Sequence, residues 1–231
     1  SNMNRDSNLY TIVYASVMVI LVALGLALTS QSLRSYQKKN EDIDKMMQIL
    51  RSVRVQTTAA DAEATFKSLI KESYLVDENG KQVEGDAFST DYVKAFASKE
   101  ALPVFVASID GETKYIMAMS GAGLWGPLWG YMSVNEDKST VYGADFSHQG
   151  ETPGLGAEIT QSFFSKEFYD KKLFNEAGEF KSIAIVKPGK TAEGQDYVDG
   201  ISGGTITSQG VNQMILTSMG GYIKFLTSQK Q

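Results

Sequence analysis

Asp199-Gly200-Ile201-Ser202-Gly203-Gly204-Thr205-Ile206-Thr207-Ser208 stands just ahead of the last helical pattern in the chain, and its reading decides the fold. Adjacent glycines open backbone conformations closed to residues with a Cβ, and they leave room for a bulky group beside the turn. Thr205 and Thr207 bring hydroxyls to that bend. In the following run, Val211, Met214 and Ile215 fall at helical spacing, which predicts a helix with Ser208 or Thr207 as its N-cap. The first N–H groups of a helix lack internal partners and carry the positive end of its dipole, so a phosphate meets donors there without a lysine. A Gly-Gly turn into a capped helix is also an ordinary loop-to-helix junction. The stretch is neither a nucleotide P-loop, which needs Gly-Lys-Ser/Thr, nor a Gly-x-Gly-x-x-Gly turn after a strand.

Upstream, residues 182–187 read as a short strand closed by Pro188-Gly189, and the polar loop 191–195 delivers the chain to Asp199. Before them, Phe163, Phe164, Phe168 and Tyr169 suggest a helix, entered from the irregular glycine-rich run 148–156. Val104 to Ile109 and Lys114 to Met119, joined by Asp110-Gly111, read as a hairpin. Residues 131–134 and 140–146 form a second pair, so an antiparallel sheet is expected. Between the pairs, residues 121–130 hold Trp125 and Trp129 among glycines and Pro127, a loop fit to cap a core with aromatics. Further back, Asp77-Glu78-Asn79-Gly80 marks a turn between short strands, and Ala62, Phe66, Leu69 and Ile70 suggest a helix. Ile43, Met46, Met47, Ile49, Leu50 and Val53 lie on one face of another, a stalk.

The first residues are of a different kind. Ser1-Asn2 before Met3 reads as a tag remnant, and residues 1–8 as a tail. No charge occurs from Ser7 to Leu33, and the apolar run from Leu9 to Leu28 matches the ~20 residues needed to cross a membrane. A cleaved signal peptide needs a basic start and a shorter apolar core, whereas here a lone Arg5 stands beside Asp6. Residues 9–33 are therefore read as a transmembrane helix, 34–100 as a stalk helix with an accessory α/β segment, and 101–231 as the main domain. The fold class is α+β, with a mixed domain whose antiparallel sheet is flanked by helices. Counting Arg34, Lys38 and Lys39 after the span would put that domain inside, although Glu41 and Asp42 offset the count.

The chain of 231 residues has no cysteine and a single histidine, which excludes disulfides, a thiol nucleophile and His- or Cys-rich metal sites. A net charge of −5 argues against nucleic-acid binding. His148 reads as a loop histidine rather than a proton relay.

Asp199-x-x-Ser202-Gly203-Gly204-Thr205 resembles the flavinylation motif Asp-x-x-Ser/Thr-Gly-Ala-Thr of FMN-binding domains, in which the threonine carries FMN through a phosphoester. Gly204 stands where the family usually has alanine, a change expected to loosen the turn without touching the acceptor. With Gly-x-Gly-Leu-Trp at 121–125, Gly-Glu-Thr-Pro-Gly-Leu-Gly at 150–156 and the N-terminal apolar helix, the ordered set is similar to the NqrC family, a component of Na⁺-translocating NADH:quinone oxidoreductase. The related RnfG family of the Rnf electron-transport complex comes next.

The resemblance implies a covalent FMN on Thr205, with Thr207 as fallback, and Ser202, Gly203 and Gly204 shaping a phosphate-binding turn. It places Asp199 where the family has its acid, to help a flavin transferase or to hold the turn. For the flavin ring, Leu124, Trp125 and Leu155 are the expected packing surfaces, and Glu151 and Thr152 the polar contacts. The implied role is electron relay between neighbouring subunits of a sodium pump in the bacterial inner membrane, with the large domain periplasmic. A cofactor-free tethered scaffold accounts for the same anchor and stalk. A hydrolase using Thr205 or Ser202 lacks both a Gly-x-Ser-x-Gly elbow and a conventional base other than His148.

Overall fold

The computed structural model describes residues 8–228, so the tag remnant read at Ser1-Asn2 lies outside the described residues. The described chain divides into two compact units, with the boundary between Asp44 and Lys45. Helix α1 (Asn8–Ser52) runs through that boundary without a break, so the apolar span and the stalk expected from the sequence are one element. Its N-terminal part is long and apolar enough to cross a membrane, and its apolar window has no buried residue.

In the second unit, the end of α1 enters a core. Ile49, Leu50 and Val53 are fully buried there, as the stalk periodicity requires. Helix α2 (Ala62–Leu69) leads directly into β1 (Ile70–Val76), and β1 pairs with β2 (Gln82–Val83) across the Asp77–Gly80 turn. Asp77 Oδ1 accepts the N–H groups of Asn79 and Lys81, both at 2.9 Å, which is why the tight turn forms at this sequence. Helix α3 (Tyr92–Ser98) is N-capped by the Asp91 carboxylate and ends at Lys99 in the left-handed region.

The strands β3 (Leu102–Ile109), β4 (Glu112–Ala122), β5 (Pro127–Val134) and β6 (Val141–His148) then follow as a meander. They complete a six-stranded sheet of order β2-β1-β3-β4-β5-β6, antiparallel at every pairing. Both faces of its centre are covered, so β4 is buried on successive residues rather than on alternate ones. Met117 and Met119 pack toward one core with Val211, Met214 and Ile215. Ile116 and Ala118 pack toward the other with Ile49, Phe105 and Tyr131. Each large apolar side chain among these contributes about 1.5–3 kcal/mol on burial.

After a 3₁₀ turn (Gly156–Thr160), helix α4 (Ser162–Lys166) is shorter than the aromatic pattern suggests. Phe164 and Phe168 enter the core while Phe163 points outward. The strand read at 182–187 is confined to β7 (Ala184–Val186), paired in parallel with β8 (Tyr197–Asp199), an element without a sequence signal of its own. Helix α5 (Thr205–Gly221) lies across the sheet face, and α6 (Ile223–Thr227) closes the described chain. Ser218 Oγ accepts the Ser120 N–H at 3.1 Å, which pins α5 to the end of β4.

Candidate functional site

Three connections meet where α5 begins: the turn 200–204, the hairpin tip 123–126 between β4 and β5, and the loop 149–155 after β6. Gly203 has φ +77, a left-handed bend that favours glycine, and a methyl there would push the exposed Leu155 side chain aside. Gly204 is the N-cap, not Thr207 or Ser208 as the sequence suggests. The helix starts earlier because the Gly204 carbonyl accepts the Ser208 N–H at 2.9 Å. Ser208 Oγ instead turns back to accept the Ile201 N–H at 2.9 Å, bracing the turn from inside. At Gly204 a methyl would lie 3.2 Å from Gly156 N and Cα, so an alanine would need the Gly156 backbone to give by a few tenths of an ångström.

Thr205 is thus the first residue of α5, and its side chain is exposed. Thr207 is 2% exposed, and its hydroxyl donates to Glu151 Oε2 at 2.5 Å. Glu151 is itself 4% exposed, and its Oε1 accepts the Trp125 N–H at 2.8 Å. The Glu151 N–H in turn donates to Nδ1 of the half-buried His148 at 3.1 Å. His148 Nδ1 is therefore a hydrogen-bond acceptor inside the loop.

These contacts enclose a cleft of about 220 Å³. Leu124, Trp125 and Leu155 line it with their apolar side chains largely exposed, Trp125 at 67%. Glu151, Thr152, Gly156, Gly203, Gly204, Thr205 and Thr207 complete it, as does Ile206, which escapes a sequence reading because it falls outside the core-facing spacing of α5. A smaller cavity of about 70 Å³ touches the other side of Thr205, between Lys187, Pro188, Gly200 and Gln209. Ser202 is exposed on the turn outside the cleft. Asp199 lies outside it too, at the end of β8, with its N–H donating to Glu167 Oε2 at 2.8 Å. Among the described residues its carboxylate makes no hydrogen bond to its own turn.

A larger groove of about 970 Å³ lies between α3, the end of β4 and α5, walled by Val93, Phe96 and Leu216. The cleft at Thr205 has the better chemistry for an anionic, aromatic ligand. The N–H groups of Thr205, Ile206 and Thr207 have no hydrogen-bond partner among the described residues, and the exposed hydroxyl stands beside them. Free donors, the adjacent Gly203 and Gly204, and apolar walls thus meet in one cleft.

Residues 123–218, from the hairpin tip to the last turn of α5, match the FMN-binding domain family. The crystal structure of the NqrC component of Na⁺-translocating NADH-quinone reductase from Parabacteroides distasonis is 66% identical, with a TM-score of 0.83 over 86% of this chain and 98% of its own. This chain belongs to the NqrC family. Two further NqrC proteins of Na⁺-translocating NADH-quinone reductases, from Vibrio anguillarum and Haemophilus ducreyi, are each 30% identical, over 90% and 92% of this chain and 89% and 90% of their own lengths. The Shewanella oneidensis NqrC structure, at 24% identity and TM-score 0.66, shares the NqrC fold. Membership in the NqrC family decides between the two groups that the motifs left open, and makes this an oxidoreductase subunit with an FMN-binding domain.

Proposed function

We propose that this chain carries FMN as a phosphoester on Thr205 and relays electrons between neighbouring subunits of a membrane-bound, Na⁺-translocating NADH-quinone reductase. The observation that carries the reading is the unequal state of the two threonines. Thr205 offers an exposed hydroxyl at the start of α5, whereas the Thr207 hydroxyl is committed to Glu151 in the interior. FMN supplies reversible electron uptake and release when bound. The protein's part is to hold it. The free N–H groups and the dipole at the start of α5 stabilise the phosphate charge. Leu124, Trp125, Leu155 and Ile206 offer apolar surface that excludes water from one side of the ring, and Thr152 offers a polar contact at the edge.

Attachment needs a flavin transferase. Thr205 Oγ1 loses its proton and bonds to the phosphorus of a flavin nucleotide, whose other phosphate substituent departs. The exposed Ser202 and the half-buried Asp199, both outside the cleft, suit contact with that enzyme better than contact with the flavin. Residues 9–33 anchor the chain in the inner membrane, and residues 101–231, which contain the whole cleft, work on the periplasmic side. Residues 34–100 carry the stalk and supply β1 and β2 to the sheet.

Coexpression with a flavin transferase tests the proposal. The intact mass should rise by one FMN less one water, with the addition mapping to the peptide that contains Thr205. Thr205→Ala should remain unmodified and Thr207→Ala should carry the group. A mass equal to that of the amino acids alone would leave the cofactor-free scaffold as the reading. Modification of Thr205→Ala would move the acceptor elsewhere.

A further inference from the structure

Both carboxylate oxygens of Glu151 are engaged by protein groups, Oε1 by the Trp125 N–H and Oε2 by the Thr207 hydroxyl, at the edge of the cleft that the residue also lines. The bonds join two walls of the cleft that are far apart in sequence: the hairpin tip bearing Trp125, and the first turn of α5 bearing Thr205. The carboxylate reaches this position because small residues surround it. A methyl on Gly123 would lie 2.4 Å from Oε1, and one on Gly156 2.7 Å from Oε2. The backbone of Glu151 is fixed independently by its bond to His148. Hydrogen bonds to a buried charged acceptor are the stronger kind, and leaving such an acceptor unmade is costly.

We infer that Glu151 is a positioning residue of the cleft: its carboxylate ties the 123–126 hairpin tip to the first turn of α5, holding Trp125 and Thr205 in one geometry, and it acts on bound FMN through them. The inference rests on the proposed FMN role for its functional consequence, but the tether itself can be read in protein without flavin.

The test uses the full chain in a Trp129→Phe background, in which Trp125 is the sole tryptophan, expressed with and without transferase. Without flavin, Glu151→Ala should lower the fluorescence anisotropy of Trp125. With transferase, it should slow FMN attachment about tenfold, the worth of a lost charged hydrogen bond. Glu151→Gln should restore both, since its amide oxygen accepts from Trp125 while its NH₂ donates to Thr207 Oγ1. Thr207→Val, which cuts only the α5 side, should slow attachment while leaving Trp125 as rigid as in the native chain. Native anisotropy and native attachment in Glu151→Ala overturn the inference. So does a Glu151→Gln variant as slow as Glu151→Ala with native anisotropy, because the charge and not the tether would then be at work. Melting curves verify that the variants fold, and if Glu151→Ala does not, the Gln and Thr207→Val variants carry the test. A native chain that takes up no FMN overturns the functional reading, and the anisotropy comparison still decides whether Glu151 holds the loop.

Discussion

Thr207 Oγ1 and Glu151 Oε2 are joined by a 2.5 Å hydrogen bond across 56 positions of sequence, both groups being buried. Thr205, two residues earlier, faces outward. The two threonines should therefore fail differently. Thr205→Val should lose the FMN mass with an unchanged melting temperature. Thr207→Val should keep the modification on Thr205 and lose about 1–3 kcal/mol of stability, because a buried carboxylate oxygen is left without its donor. Denaturant melts paired with peptide mapping check both.

Gly156→Ala should slow FMN loading. Its methyl would stand 2.2 Å from Thr207 Oγ1 and 2.7 Å from Glu151 Oε2, so the Thr207–Glu151 bond has to give way, at about 1–3 kcal/mol of overpacking. Gly154→Ala is the control. Its φ of +74 makes alanine cost about 1–2 kcal/mol, but open space surrounds it and loading should persist. Attachment rates of the two variants distinguish a damaged cleft from a merely destabilised chain.

Arg51, near the end of α1, makes a two-pronged contact with Asp145 of β6, at 2.8 and 3.2 Å. The Asp145 carboxylate is almost fully buried while the guanidinium is part exposed. Asp145→Asn should cost about 2 kcal/mol, between the worth of a surface pair and that of a fully buried one. Added salt should weaken the native protein little, since a buried partner is poorly screened. Urea titrations at low and high ionic strength measure both.

Alkaline unfolding should begin from the aromatic core. Burial pushes the Tyr92 and Tyr131 phenols above the ordinary tyrosine value of 10.0, and their hydroxyls bond each other at 2.9 Å. The unfolded chain releases these protons at lower pH than the folded one, so stability is complete below pH 10 and declines as the pH rises beyond it. Removing the Tyr131 hydroxyl as Tyr131→Phe should flatten that decline. Phenolate absorbance followed alongside circular dichroism provides the measurement.

The sidedness of the domain is accessible because the native sequence has no cysteine. A single cysteine at the exposed position of Lys190 should react with a membrane-impermeant maleimide in intact cells. Protection until the cells are lysed would put the domain on the cytoplasmic side, as the bare count of Arg34, Lys38 and Lys39 suggests.

Much of this architecture is legible because local and long-range signals agree. The Asp110-Gly111 and Asp77–Gly80 turns sit where their residues demand, and the apolar face of α5 repeats Val211, Met214, Ile215 at the spacing its core requires. The start of α5 is misplaced by sequence because hydroxyl residues advertise a cap wherever they fall. Here Ser208 braces its own turn and Thr207 is claimed by Glu151, so a glycine without any side-chain cap begins the helix. β8 is hidden for another reason: a three-residue strand carries no period to detect, whereas its partner β7 lies within the strand read at 182–187. Glu151 reads as a ligand contact, and nothing in a linear sequence reveals that its oxygens also accept from groups 26 and 56 residues away.

Leu124, Trp125, Leu155 and Ile206 lie open to solvent in the chain without flavin, a cluster of greasy groups around one hydroxyl. Contiguous apolar surface of this kind invites adhesion to other proteins. Maturation would then do more than install a redox centre: covering the patch would separate finished molecules from unfinished ones, giving chaperones and proteases a physical mark by which to sort them.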